Sequence, residues 1–393
     1  MPTHESPATR RAIDRASIVH RRSGQAAKNA TILEDLNPRR PDKAVQQSTM
    51  KLDALQIFDL PAAQQTAVLV RLDADGASGW GEATVEAAPM HSEQWTGATR
   101  AFLEQCLVPE LIGREIASAD ELAQILACFR GHSLAKGAVD CAWHDLAARL
   151  AQKPLWQSLA AIGREVTFVR PFGPRPSLDD LLADLAASID KGLAQVTLKL
   201  RPGWGIDVVR AVRSTFPNLA IRVDFDGTAT LDQRDLLYRL QDYQVAAIEQ
   251  PLDADDLVGH ALLQESLRTP VCLDQSIASP ERAQLALDLA SCQEIRLAPD
   301  LCGGLTAAQE ILAACHEAAV PCLIGTRAQT EVGRRHAAAL AMLAPVAAPI
   351  ELDDNNEPPP TNAPHPLTIS PWPEPGIGPP PHFPDPRPPT PDP

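Results

Sequence analysis

A TIM-type (β/α) barrel preceded by a smaller α+β domain, an α/β fold overall, is what this sequence predicts. Two observations carry the barrel. Between residues 165 and 355 short apolar runs recur as TFVRPFG, QVTLKLRPG, AIRVDFDG, AAIEQP, PVCLDQS, EIRLAPD, PCLIGT and APIELDD. Helical segments such as DLLADLAASIDKGL, GIDVVRAVRSTF, DLLYRLQDY and TAAQEILAACHEAA separate almost all of them. Strand alternating with helix at a period of roughly 25 residues builds βαβ units and a parallel sheet. Eight such strands suffice to close a barrel, and the length of the zone suits a compact one.

The elements follow in chain order. Residues 1–49 are polar and arginine-rich, with RR at 10–11, 21–22 and 39–40, and are net positive against an acidic remainder. Without a hydrophobic period this extension is predicted to be disordered. It reads as a translated segment upstream of a start at Met50, as an interaction arm, or as a targeting peptide, against which Asp14, Glu34 and Asp35 argue. Residues 50–160 open with the strand-like runs LDALQIFDL and TAVLVRLDA, pass through DGASGWGEA, and continue in the helical patterns SADELAQILACF and LAKGAVDCAWHDLAARLAQ. That is a small α+β domain. His132 and His144 read there as surface or core histidines, since no second ligand stands at metal-binding spacing. The barrel spans 161–355. From 356 the chain turns proline-rich (EPPP, GIGPPP, PRPPTPDP), predicting an extended segment and a mobile tail, with PLTISPW packing back on the first domain.

Composition sets the partner classes. A net charge of −15 argues against nucleic acid. No apolar run approaches the roughly 18 residues of a membrane span, and no signal-peptide core follows Met1. The 8 cysteines stand singly, several in apolar stretches (Cys141, Cys272, Cys322), as reduced core residues of a cytoplasmic protein.

Barrels place chemistry at the C-terminal ends of their strands. Reading those ends in order gives Lys199, Asp224, Glu249 and Asp274, one per βα unit. An isolated Asp-x-Asp-Gly, as in VDFDG, would be a solvated turn. Three carboxylates on consecutive strands instead converge and repel. A hard divalent cation, Mg²⁺ or Mn²⁺, removes the conflict. Asp226 stands two residues beyond Asp224, on the same side if the strand continues, as a second-layer or substrate-facing group. Lys199 is either a surface lysine at a strand end or, beside the metal, a general base.

Taken together, VTLKLRPGWGIDVVRAVRSTFP, VDFDG, IEQPLDADDL, CLDQS and APDLCGGLT resemble the enolase superfamily. The nearest likeness is its muconate-lactonizing subgroup, in the o-succinylbenzoate synthase and N-acylamino-acid racemase branch. GWGEA at 79–83 and AKGAVDCAWHDLAARLAQKPLW at 135–156 are similar to that family's capping domain. The resemblance runs from about Met50 to the proline-rich tail. It implies Asp224, Glu249 and Asp274 as metal ligands, Lys199 as base, a small carboxylate substrate and a homo-oligomer.

Departures from the family pattern shape the expected chemistry. The first lysine of Lys-x-Lys is Thr197, and the opposing lysine of the sixth strand is Ala298. Family glutamates are replaced by Gln275 and Gln329, the stretch DLPAAQQT replaces a long mobile loop, and Arg296, Asp300 and Arg327 add charges near the rim. Two-base racemisation needs groups on both faces of the α-carbon. The sequence therefore points to one-base lyase or isomerase chemistry on Lys199, or to a non-catalytic homologue that binds a ligand or partner.

Overall fold

The computed structural model describes residues 49–62, 65–90, 92–201, 205–344, 348–352 and 367–379. The expectations for the extension up to residue 48 and for the tail beyond 379 lie outside the described residues.

The first domain begins with β1 (Met50–Lys51), then β2 (Ala54–Ala62), β3 (Gln65–Ala74) and β4 (Ala77–Glu86), the last three forming an antiparallel sheet in that order. The β2–β3 pairing runs out to Ala62 opposite Gln65, so only residues 63 and 64 join the strands where a long loop was compared in the sequence. Helix α1 (Thr96–Phe102) continues through a π turn into α2 (Val108–Leu111). Strand β5 (Glu115–Ile116) pairs with β1, and α3 (Ala119–Ala127) follows, capped by Ser118, whose hydroxyl accepts from the Glu121 N–H. The long α4 (Ser133–Leu150) lies across β4. Gly79 and Gly81 make that approach possible. A Cβ on Gly81 would stand 1.9 Å from the Ala138 carbonyl oxygen, and one on Gly79 would stand 2.2 Å from that of Ala142. A separate apolar core, including Val68, Val70, Leu72, Leu107, Leu122, Trp143 and Leu146, fills this domain.

After α5 (Leu155–Ser158) the barrel strands and helices alternate. They are β6 (Val166–Val169), α6 (Leu178–Asp190), β7 (Gln195–Lys199), α7 (Ile206–Thr215), β8 (Ala220–Asp224), α8 (Arg234–Leu240) and β9 (Ala247–Glu249). Then come α9 (Leu257–Ser266), β10 (Val271–Leu273), α10 (Pro280–Asp288), β11 (Glu294–Leu297), the short α11 (Pro299–Cys302), α12 (Leu305–Glu317), β12 (Cys322–Thr326), α13 (Glu331–Leu343) and β13 (Ile350–Leu352). Each apolar run read from the sequence contains one strand. All pair in parallel from β7 round to β13, and β13 pairs in parallel with β6. Beyond β6, the Phe172 N–H donates to the Thr197 carbonyl (2.8 Å) and the Lys199 N–H to the Phe172 carbonyl (2.9 Å), closing the barrel on β7.

The strands alternate as the pleat requires. Ile221 and Val223 of β8 belong to the apolar core with Val209, Val212 and Leu237 of the flanking helices. Arg222 and Asp224, on the opposite face, point into the barrel. The C-terminal segment returns as β14 (Leu367–Ile369), antiparallel to β6. It then buries Trp372 and Ile377, and the Trp156 indole donates to the Trp372 carbonyl at 2.9 Å. Among the described residues no helix is long and apolar enough to cross a membrane.

Candidate active site

The C-terminal ends of β7, β8 and β9 stand in register, with Lys199 opposite Asp224 and Asp224 opposite Glu249. The Lys199 ammonium is buried, 3.1 Å from Asp224 Oδ2 and 2.7 Å from Asp226 Oδ1. Asp226 does not reach it by strand alternation. β8 ends at Asp224, and Asp226 adopts a left-handed conformation (φ 49°) in the following turn, its N–H donating to Asp224 Oδ1 at 2.9 Å. Gln275 Nε2 stands 3.5 Å from Asp226 Oδ1. Its own Oε1 is a buried acceptor without a hydrogen-bond partner among the described residues.

Asp274 follows β10 and is buried. Its backbone N–H donates to Gln250 Oε1 at 3.0 Å. The fully buried Gln250 also donates to the Ser276 hydroxyl and the Leu252 carbonyl, tying the β9 and β10 ends together.

Deeper in the barrel lies a charge network of which the sequence reading named only Glu249 and Arg296. Arg296 Nε donates to Glu249 Oε1 at 2.6 Å and its Nη2 to Glu249 Oε2 at 2.7 Å. The same guanidinium lies 3.4 Å from Glu351 of β13. Arg222 stands 3.5 Å from Glu249 and 2.8 Å from Glu294. The Thr197 hydroxyl donates to Glu351.

Burial would raise the Glu249 carboxyl, but Arg296 and then Arg222 outweigh it and hold the group below the usual carboxylate range. Burial also penalises the Arg296 charge, yet Glu249 and Glu351 push its ionisation well above the ordinary arginine value. At Glu351 burial prevails, and its carboxyl is raised despite Arg296.

The described residues whose ligand atoms come within 4.8 Å of one another are Asp224, Glu249 and Glu351. Asp274 lies outside that group. Buried carboxylate oxygens in this arrangement fit a small, hard divalent cation. The repulsion from which a cation was inferred is already met in part by Lys199, Arg222 and Arg296.

The remaining rim residues fall elsewhere. Asp300 accepts from the Arg327 N–H at 2.9 Å, and Arg327 Nη2 reaches the Thr84 carbonyl of β4 at 3.5 Å. Gln329 Nε2 donates to Gln65 Oε1 at the start of β3. These three stand at the seam with the first domain. Ala298, buried, directly follows β11, the sixth barrel strand, which lies across the barrel from β7 and Lys199.

Arg222, Glu294 and Glu351 were missed in the sequence. The available signal was a charged residue inside an apolar strand, at an even spacing from a site residue: Arg222 lies two before Asp224.

Comparison with known proteins agrees with this architecture. Residues 43–160 match the family described as mandelate racemase / muconate lactonizing enzyme, N-terminal domain, and residues 180–378 match the enolase C-terminal domain-like family. The chain is 38% identical to an o-succinylbenzoate synthase of Geobacillus kaustophilus over 71% of this chain and 74% of that protein. It is 33% identical to an N-succinylamino acid racemase of Thermus thermophilus over 75% of this chain and 83% of that one. A solved enolase-superfamily structure from Enterococcus faecalis superposes with a TM-score of 0.72 at 31% identity, covering 78% of this chain and 87% of its own.

Proposed function

The chain belongs to the enolase superfamily, and from that premise we propose that it is an enzyme removing the proton α to the carboxylate of a small substrate, with Lys199 as its only base. Superfamily members bind a divalent metal, and the buried carboxylates here fit one. The observation that carries the proposal is the placement of Lys199, buried at a strand end with Asp224 and Asp226, across the barrel from Ala298.

Asp224, Glu249 and Asp274 are the proposed ligands of Mg²⁺ or Mn²⁺, which when bound would stabilise an enolate. Lys199 takes the α-proton on its own face of the substrate and can return it there or deliver it to a departing hydroxyl. Ala298 offers no proton carrier to the other face. The chemistry is therefore syn elimination, as an o-succinylbenzoate synthase-like lyase, or one-face isomerisation. Gln275 Oε1, a buried acceptor without a hydrogen-bond partner among the described residues, is the proposed acceptor of a hydrogen bond from substrate. The acidic charge supports a protein without nucleic-acid partners, the unpaired cysteines support a cytoplasmic one, and a homo-oligomer is proposed from the family resemblance.

The test is incubation with N-acylamino acids and with hydroxylated carboxylates in D₂O containing Mg²⁺. Exchange or elimination without racemisation is expected, and Lys199→Ala should lower the rate roughly 10²–10⁴-fold. Racemisation at rates matching the exchange would overturn the one-base assignment. A second reading, a non-catalytic ligand-binding protein, is favoured by the occupation of both Glu249 oxygens by Arg296. Binding without any exchange in the metal-loaded protein would select it.

A further inference from the structure

We propose that Arg296 is the resident cation of the barrel's carboxylate cluster, holding it assembled without metal and competing with the metal for Glu249. The inference rests on the proposed metal-binding reading of the site and concerns how metal gains access to it.

Three observations carry it. First, the guanidinium engages Glu249 as a fork, with two nearly equal bonds of 2.6 and 2.7 Å to the two carboxylate oxygens. Such paired, charge-assisted bonds are the strong and directional ones. A metal on Glu249 must share an oxygen with this fork or displace it.

Second, the barrel is shaped around the arginine. Arg296 leaves β11, crosses β12 and reaches Glu351 on β13. It crosses β12 at Gly325, where a Cβ would stand 2.9 Å from Arg296 Cδ and 3.0 Å from Cγ. A larger residue would crowd the side chain out of this path.

Third, the partners are buried together. Arg296, Glu249, Glu351 and Arg222 are each at most 4% exposed. Removing one member of a buried ionic set leaves its partners uncompensated, so the carboxylates need a cation whether or not metal is present. Arg296 supplies one within the fold, and a dication beside it meets like-charge repulsion in a site that water screens poorly.

The experiment is Mn²⁺ and Mg²⁺ titration of the metal-stripped protein by calorimetry, with melting curves at each metal concentration. Native protein should bind weakly and gain little melting temperature. Arg296→Gln should melt lower without metal, bind roughly tenfold or more tightly, and recover its melting temperature when loaded. Gly325→Ala keeps every charge but crowds the arginine, so it should also tighten metal binding. It decides the matter if Arg296→Gln does not fold.

Native binding as tight as that of both folded variants would overturn the competitor role while leaving the metal centre intact. Binding by none of the three proteins would overturn the metal centre itself, and the inference with it.

Discussion

Glu82, on the last strand of the first domain's sheet, accepts hydrogen bonds from both the hydroxyl (2.6 Å) and the backbone N–H (3.2 Å) of Thr330, the N-cap of barrel helix α13. The carboxylate also takes the N–H groups of Gln329 (2.6 Å) and Gly333 (3.0 Å). A helix start carries unpaired N–H groups and a partial positive charge, and a carboxylate answers both. Asp140 of α4 serves α12 in the same way, accepting from the Thr306 N–H and hydroxyl. The two domains are thus joined by first-domain acids capping barrel helices.

Glu82→Ala should cost about 3 kcal/mol, because several buried donors lose their acceptor at once. Glu82→Gln should cost less, since one acceptor oxygen remains. Urea unfolding measures both, and a loss for the alanine variant no larger than that of an exposed Glu→Ala would refute the clamp.

Gly81 faces a different constraint, close approach. With a Cβ 1.9 Å from the Ala138 carbonyl, Gly81→Ala must push α4 off β4. The cost should reach about 3 kcal/mol, in the range of severe overpacking. Gly76, in the β3–β4 turn at φ +76°, would meet nothing within 4 Å. Gly76→Ala should therefore cost only the roughly 1–2 kcal/mol of a left-handed alanine. Equal melting temperatures for the two variants would contradict this account.

The barrel's strand order was legible in the sequence, whereas GWGEA, on an antiparallel strand of the first domain, was read as a turn and through the family resemblance. A buried parallel strand is a continuous apolar run, and the helices between such runs repeat on their own period. The strand-end residues Lys199, Asp224 and Glu249 were legible because the fold puts function at the C-terminal end.

The interior network was not. Arg222 sits in AIRVD, where a single charge among apolar neighbours looks like an ordinary strand irregularity, and Arg296 in EIRLA was read only as a charge added near the rim. Nothing local shows that Arg296 passes over Gly325 to Glu351, a partner far along the chain. Asp300 was read with Arg296 and Arg327 as a charge added near the rim. Pro299 instead begins α11, which breaks the strand alternation and turns Asp300 toward Arg327.

The proposed third metal ligand separates two carboxylates. Glu351 is held by the Thr197 hydroxyl on one side and Arg296 on the other. Asp274 stands at the end of β10 with its backbone fixed by Gln250. Asp274→Asn should weaken Mn²⁺ binding roughly 10–100-fold, and Glu351→Gln distinctly less. The reverse order in calorimetric titrations would move the centre to Asp224, Glu249 and Glu351.

His260 gives the fold a specific acid sensitivity. It is fully buried on α9, with Nδ1 2.7 Å from the Asp256 carbonyl and Nε2 3.2 Å from the Leu252 N–H. Nδ1 must donate and Nε2 must accept, so the ring is neutral, and a proton on Nε2 would face another N–H. Burial is the main cause that lowers its pKa, exceeding the opposing pull of Asp256. The unfolded histidine titrates near about 6.5. Between that value and the depressed folded one, the unfolded chain binds more protons. Stability is therefore complete above about pH 6.5 and falls as pH drops below it, by at most about 1.4 kcal/mol per pH unit for one group.

His260→Gln can keep an acceptor for Leu252 but cannot titrate. Its melting temperature should fall less than that of the native protein between about pH 7.5 and about pH 5.5. The buried His336 and the partly exposed His144, both shifted downward by desolvation, leave the variant a residual slope. Parallel pH profiles for the two proteins would show that His260 carries its proton in the folded state, against the donor and acceptor pattern around it.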